Sequence, residues 1–151
     1  MADTLYAILI QVTGQMLLLP NAAVAEVTAL DRFEPAEEGS PDWLAGWHAT
    51  AERRVPVLNF EALSGRARPS ISRRGRVVIV NPVGQRVGAG GYGLLAQGHP
   101  HMVSIARGAI EAVDLHEDDQ ASPVLSRVRM AGQEALIPDL DRIETRLAGL
   151  A

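Results

Sequence analysis

Residues 41–63 read PDWLAGWHATAERRVPVLNFEAL. Pro41 favours a bend and a helical first turn. Trp43 and Trp47 follow, with Gly46 between them. Ala49 to Arg53 is polar and turn-like, and Val55-Pro56-Val57-Leu58 has the composition of a strand. Asn59 to Leu63 can close a helical turn before Ser64-Gly65. The chain holds two Trp and two Phe, and all but Phe33 lie in this stretch. Large aromatics dominate core burial, so the stretch is expected to nucleate a core.

On its N-terminal side, Leu5 to Val12 reads as a strand that is mostly buried on both faces. Thr13-Gly14-Gln15 is a tight turn, and Met16 to Leu19 returns as the second strand of a hairpin. Pro20-Asn21 ends that strand. Asn21 is expected to cap a short helical turn through Ala25, and Glu26 to Leu30 to resume as a strand. Asp31 to Ser40 reads as an acidic, solvated connection.

On its C-terminal side, Ser64 to Gly75 is a basic loop with Arg66, Arg68, Arg73 and Arg74, followed by Arg76. It has no interleaved aromatics on which bases stack, so it reads as solvated or partner-facing and not as a nucleic-acid site. Val77 to Val80 is a buried strand. Gln85 to Val87 and Tyr92 to Gln97 read as strand pieces around a glycine-rich tip, and Met102 to Ile105 as another strand. Glu111 to Asp119 is acidic and unpatterned, and reads as a loop. Val124 to Met130 alternates as a half-buried strand, Ala131-Gly132-Gln133 turns, and Ala135 to Ile137 returns. After Pro138, Asp139 caps a helix with Leu140, Ile143, Leu147 and Leu150 on one stripe, and Gly149 stands near its end.

Composition excludes several function classes. With no Cys there is no disulfide, thiolate metal site or cysteine nucleophile. All fourteen basic residues are Arg, and the net charge of −4 gives no drive toward nucleic acid. No apolar run approaches the ~20 residues of a membrane span, and residues 1–10 lack a basic leader region. A cytoplasmic protein without membrane insertion is expected. Gly88-Ala89-Gly90-Gly91-Tyr92-Gly93 satisfies GxGxxG. A dinucleotide fingerprint needs a helix to start there, and the next residues leave no room for one. His99 and His101, with Asp114 and His116, are candidate metal ligands, but Pro100 interrupts them and the spacing matches no zinc motif. There is no GxSxG elbow and no lysine for Schiff-base chemistry. Asp118-Asp119 lies in a hydrophilic stretch that does not raise a carboxylate pKa. No enzyme activity, metal or cofactor is expected.

Many short strands with Gly and Pro turns and one late helix indicate an all-β barrel architecture with a C-terminal helix. Three stretches in this order resemble CheW-like domains: LPNAAVAEV at 19–27, PDWLAG with VPVLNF from Pro41 to Phe60, and the strand, glycine turn, strand and Asp-Leu-Asp-Arg-Ile of 124–143. The resemblance implies one domain over residues 1–151, built of two interlocking five-stranded SH3-like barrels around a shared core. It also implies a non-enzymatic adaptor whose partners are a CheA-type histidine kinase, through its CheW-like regulatory domain, a chemoreceptor tip, and other CheW-like proteins. Within the family the sequence is most similar to ChpC-type adaptors of chemosensory systems that control type IV pili, with recruitment to membrane-associated receptor arrays. The family's receptor-facing Val and Glu fall on Val24 and Glu26. Its Arg-Gly pair falls on Ala51-Glu52, and its Asp on Asn59. Arg53 and Arg54 are the arginines nearest the missing one. Trp47 is either core or an exposed anchor, and Val24 is either core or contact. A different reading has His99, His101 and the glycine-rich tip bind a metal or small ligand.

Overall fold

The computed structural model describes residues 4–88, 90–106, 108–120 and 122–149, with Asp118 described by its backbone alone. Leu150 and Ala89 lie outside the described residues.

Each half of the chain runs as a hairpin followed by four strands. In the first half, β1 (Thr4–Val12) and β2 (Gln15–Pro20) pair around Thr13-Gly14. A 3-10 turn over Asn21–Ala23 leads to β3 (Val24–Thr28), and a second over Leu30–Arg32 leads to β4 (Phe33–Pro35). β5 (Leu44–Ala49) and β6 (Arg54–Leu58) follow, and then the one-turn helix α1 (Phe60–Leu63). In the second half, β7 (Arg76–Val80) and β8 (Tyr92–Ala96) form the hairpin. β9 (His101–Ala106), β10 (Ile110–Val113), the short helix α2 (Glu117–Gln120), β11 (Val124–Met130), β12 (Gln133–Pro138) and α3 (Leu140–Ala148) complete the chain.

The hairpins are exchanged between the halves. One sheet runs β10-β11-β12-β2-β1-β9 and the other β3-β7-β8-β6-β5-β4. Each hairpin therefore joins the four strands of the opposite half, through the parallel pairs β12·β2 and β6·β8. In each sheet the two outermost strands are consecutive in sequence, β9 with β10 and β3 with β4. Each sheet is divided into six strands, against the five per barrel that the resemblance implies. Neither barrel can leave the other without giving up its hairpin, so the interlock expected from the resemblance is a property of the topology.

The two strand faces have different destinations. Ile8, Ile10 and Val12 of β1 enter a core shared with Leu58, Val78, Val80, Tyr92 and Leu94 of the other sheet. Ala7 and Leu9, on the opposite face, fill the first barrel with Leu18, Ile105 and Val128. Ala45, Val57, Val77, Ile79 and Leu95 fill the second. Each fully buried aliphatic side chain contributes about 1.5–3 kcal/mol, so two-faced burial is why these strands are apolar throughout. The stretch that opened the sequence reading supplies Leu44, Leu58, Phe60 and Leu63 to the shared core. Trp43 and Trp47 pack against it from its edge.

Local chemistry explains the ends of the helices. Asn59 caps α1: its side chain accepts from the Ala62 N–H at 2.8 Å and donates to the Asp42 carbonyl at 2.9 Å. Asp139 caps α3 by accepting from the Arg142 N–H at 3.2 Å. Each helix then buries a glutamate that accepts from the hairpin exchanged into its neighbourhood. Glu61 accepts from the Thr13 N–H at 2.8 Å. Glu144 accepts from the N–H groups of Val83 and Gly84 at 2.8 and 3.0 Å. The same device thus locks both hairpin turns.

Several readings of the sequence are corrected. Pro41 starts a turn and not a helix: the Leu44 N–H donates to the Pro41 carbonyl, and β5 begins at once because β4 and β6 flank it. Asp31 to Ser40 is not wholly a loop, since Phe33–Pro35 pairs with β5. Gly46 permits that pairing: a Cβ there would stand 2.1 Å from the Glu34 carbonyl oxygen. Asn21 makes no capping bond, and the strand after it runs Val24–Thr28, not Glu26 to Leu30. Gln85 to Val87 is irregular, and Glu111 to Asp119 contains the end of β10 and part of α2. Leu5 and Tyr6 are exposed because β2 ends opposite Ala7, leaving them paired to β9 alone. Gly149 caps α3 at φ −75°, in the ordinary right-handed region.

Asp119, expected in a hydrophilic loop, is buried. Arg127 grips it with two bonds of 2.8 and 2.9 Å, and the His116 N–H donates a third. The hydrogen bonds from Arg127 hold the carboxyl below its ordinary range. A lowered folded-state pKa means stability that is complete above the unfolded value of about 3.9 and lost as pH falls through the folded value. Urea midpoints should therefore fall from about pH 5 to about pH 2, and the fall should shrink in Asp119→Asn. An equal fall in the variant would assign the acid sensitivity to other carboxylates.

Candidate partner-binding site

The turn joining β5 and β6 is closed by its own backbone. The Thr50 N–H donates to the Arg53 carbonyl at 2.8 Å, and the Arg53 N–H donates to Thr50 Oγ1 at 3.2 Å. Ala51 and Glu52 are left exposed at the tip. Arg53 folds back across the glycine-rich segment, so that a Cβ on Gly90 would meet its Nη1 at 3.0 Å and its Cδ at 3.1 Å. Arg54 lies over the indole of Trp47, 4.4 Å from the ring centroid, and reaches Glu34 at 3.7 Å. Trp47 is half-buried. Its inner edge packs on the shared core, and it also lines a cleft with Arg54.

That cleft, of about 410 Å³, is lined by Trp47, Arg53, Arg54, Val55 and Pro56, by Arg86, Val87, Gly88, Gly90 and Gly91 of the opposite loop, and by Leu147 and Ala148 of α3. A second, of about 340 Å³, is lined by Ala25, Glu26, His48, Thr50, Asn81 and Ile79. Arg53, Val55 and Gly90 line both. The structure therefore gathers Glu26, Trp47, Arg53 and Arg54 around adjoining clefts. Val24 lines neither and packs, half-buried, on the shared core. Ala51 and Glu52 stand outside them at the turn tip.

The far wall was missed by sequence reasoning. The glycine-rich loop is held by α3: Glu144, fully buried, accepts from two of its N–H groups, and Arg86 pairs with Asp141. The Tyr92 hydroxyl donates to Glu144 at 3.2 Å. Burial raises the Tyr92 pKa far above its ordinary value, and the adjacent Glu144 charge and hydrogen bond add to the effect. Gly91 closes the loop at φ +74°, where a Cβ would stand 2.2 Å from the Val80 carbonyl oxygen. His48 is also new to the site. It is buried, and its Nδ1 has no hydrogen-bond partner among the described residues.

The other candidates do not converge. His99, His101 and His116 are exposed, and His116 faces Glu134 at 3.9 Å. Among the described residues no group of three His, Asp or Glu is placed to hold a metal. The GxGxxG stretch runs into β8, not into a helix. No helix among the described residues is long and apolar enough to cross a membrane.

A search of curated protein sequences finds no match. Among solved structures, the fold resembles the crystal structure of the scaffolding protein TtCheW from Thermoanaerobacter tengcongensis. The TM-score is 0.72 at 18% identity, over 93% of this chain and 86% of that one. The sequence model of the CheW-like domain matches residues 7–147, from the first hairpin to the last turn of α3. Two interlocked barrels closed by a docked helix, and a match over nearly the whole sequence, lead to one assignment: the chain belongs to the CheW-like domain family.

Proposed function

We propose that this protein is a non-enzymatic adaptor of chemosensory signalling, coupling a chemoreceptor to a CheA-type histidine kinase. Family membership over residues 7–147 carries the reading, and the likeness to a scaffolding protein supports it. The site has features that suit docking: open clefts, an aromatic face and cations. Coupling then follows from differential contact, with receptor state shifting kinase activity through surfaces on the two barrels. The similarity of LLLPNAAVAEV and VPVLNFEALSG to ChpC-type proteins supports a role in a type IV pili system, in the cytoplasm at receptor arrays. Val24, Glu26, Trp47 and the turn Ala51 to Arg54 are the proposed partner contacts, with other CheW-like proteins as further partners.

Titration against the CheW-like regulatory domain of a CheA-type kinase tests the reading, and binding is expected. Failure to bind either that domain or a receptor-tip fragment would overturn it. Receptor binding should be the weaker of the two. Ala51 donates nothing from its side chain where the family has arginine, and Glu52 adds a negative charge. One charge-assisted contact is worth about 2 kcal/mol, or more than tenfold in affinity. Ala51→Arg with Glu52→Gly should therefore tighten binding of a receptor-tip fragment about tenfold. If the double change gains nothing and the unchanged protein already binds tightly, the contact lies elsewhere.

A further inference from the structure

The two clefts meet at one side chain. Arg53, Val55 and Gly90 line both, and the Arg53 guanidinium lies against Gly90 between them. The neighbouring arginines are already engaged, Arg86 with Asp141 and Arg54 with Glu34 and the Trp47 ring. Arg53 has no ion pair or side-chain hydrogen bond among the described residues. Its backbone is set by the hydrogen bonds of the Thr50 turn, and the absence of a side chain at Gly90 leaves room for its guanidinium. A guanidinium left without a counter-ion can bind a carboxylate bidentately.

We propose that the joined clefts form one trough that docks a segment of a partner protein carrying a carboxylate next to an apolar residue, with Arg53 as the anchor. The proposal rests on the adaptor reading only in taking the occupant to be a protein. Charge and polarity choose the occupant. On the Arg86 side, Trp47, Pro56, Val87 and Leu147 offer apolar contact beside three arginines. On the other side Glu26 repels a second acid, while Thr50 and Asn81 make the wall polar. The bound segment is therefore apolar and acidic toward α3, and neutral and polar toward β3. A bare polyanion fits poorly, because these walls are partly apolar and the chain carries −4 net charge.

The test is an NMR titration of the full chain with a blocked hexapeptide of alternating leucine and glutamate, and with its glutamine counterpart. The glutamate peptide should shift the amides of residues 50–55 and of Arg86, Val87, Gly88, Gly90 and Gly91, and bind at least fivefold more tightly than the glutamine one. Arg53→Gln should lose that preference. Gly90→Ala, which displaces the guanidinium while keeping its charge, should weaken it. Arg74→Gln, in the basic loop, should not change it. Arg53 is exposed, so its variant is expected to fold, which circular dichroism checks. No detectable binding, shifts confined to residues 66–76, or an unchanged preference in Arg53→Gln would each overturn the proposal. Neither peptide is a receptor or kinase fragment, so these outcomes are separate from the titrations that test the adaptor reading.

Discussion

Replacing Ile143 by Asp is expected to cost the protein most of its stability. Ile143 is 0% exposed and sits in the shared core, on the face of α3 that also buries Leu147. The change removes a buried aliphatic side chain and places a carboxylate in the apolar shared core. Either the carboxyl is protonated or the helix leaves the core, and the cost is about 4 kcal/mol or more. Domains of this size hold about 5–15 kcal/mol in total. At ~2–4 °C per kcal/mol the melting temperature should fall by roughly 10 °C or more, as followed by far-ultraviolet circular dichroism. An unchanged melting temperature would mean that α3 is not docked through Ile143.

The second large effect is expected at Glu144. Its two oxygens serve Val83 N–H, Gly84 N–H and the Tyr92 hydroxyl. Glu144→Ala strands three donors beneath a loop that has no other anchor of comparable burial. A buried donor without its acceptor costs about 1–3 kcal/mol, and the loop can recover part of this by turning toward water, so a net loss of about 3 kcal/mol is expected. The loss should be local as well as global. The Val83 and Gly84 amides should exchange with solvent much faster, and the cleft wall from Arg86 to Gly91 should lose its order. Glu61 provides the internal comparison. It accepts from one N–H at 2.8 Å, Gln97 is more distant at 3.5 Å, and its other oxygen has no partner among the described residues. Glu61→Ala should therefore cost less. If Glu144→Ala leaves the urea midpoint and the amide protection unchanged, α3 does not organise the loop.

The elements that were legible in the sequence are those whose patterns are long or chemically marked. β1, β7 and β11 are continuous or alternating apolar runs, and their bounds shift by a residue at most from the expected ones. Asp139 stands where a cap must stand before an amphipathic helix and makes the expected bond, and the helical turn expected from Asn59 to Leu63 forms with Asn59 as its cap. Short elements were illegible. Phe33–Pro35 is three residues long, too few to show a period, and it is a strand only because Gly46 lets β5 approach it. Ile110–Val113 looked unpatterned because β11 pairs one side of it while its own side chains remain at the surface.

The candidate site divides in the same way. Glu26, Trp47, Arg53 and Arg54 were singled out through the family pattern, and they do gather at adjoining clefts. Arg86, Gly90 and His48 were not singled out as partner contacts, because nothing local marks them. The glycine-rich stretch signals a turn, but not which turn it faces. Asp119 was read as solvated because its partner, Arg127, lies on the next strand.

Sequence alone therefore determined the architecture: apolar alternation, turn residues and caps are local properties, and they specify strands, hairpins and a terminal amphipathic helix. The tertiary structure decided which hairpin entered which barrel. That choice turns on the parallel contacts β12·β2 and β6·β8 and on a core shared by both sheets. It also decided the site, because the cleft exists only where the β5–β6 turn, the glycine-rich loop and the end of α3 converge. The physical reason is that hydrophobic burial is non-directional. It fixes which residues go inside, while backbone pairing and buried carboxylates such as Glu144 decide which distant segments meet.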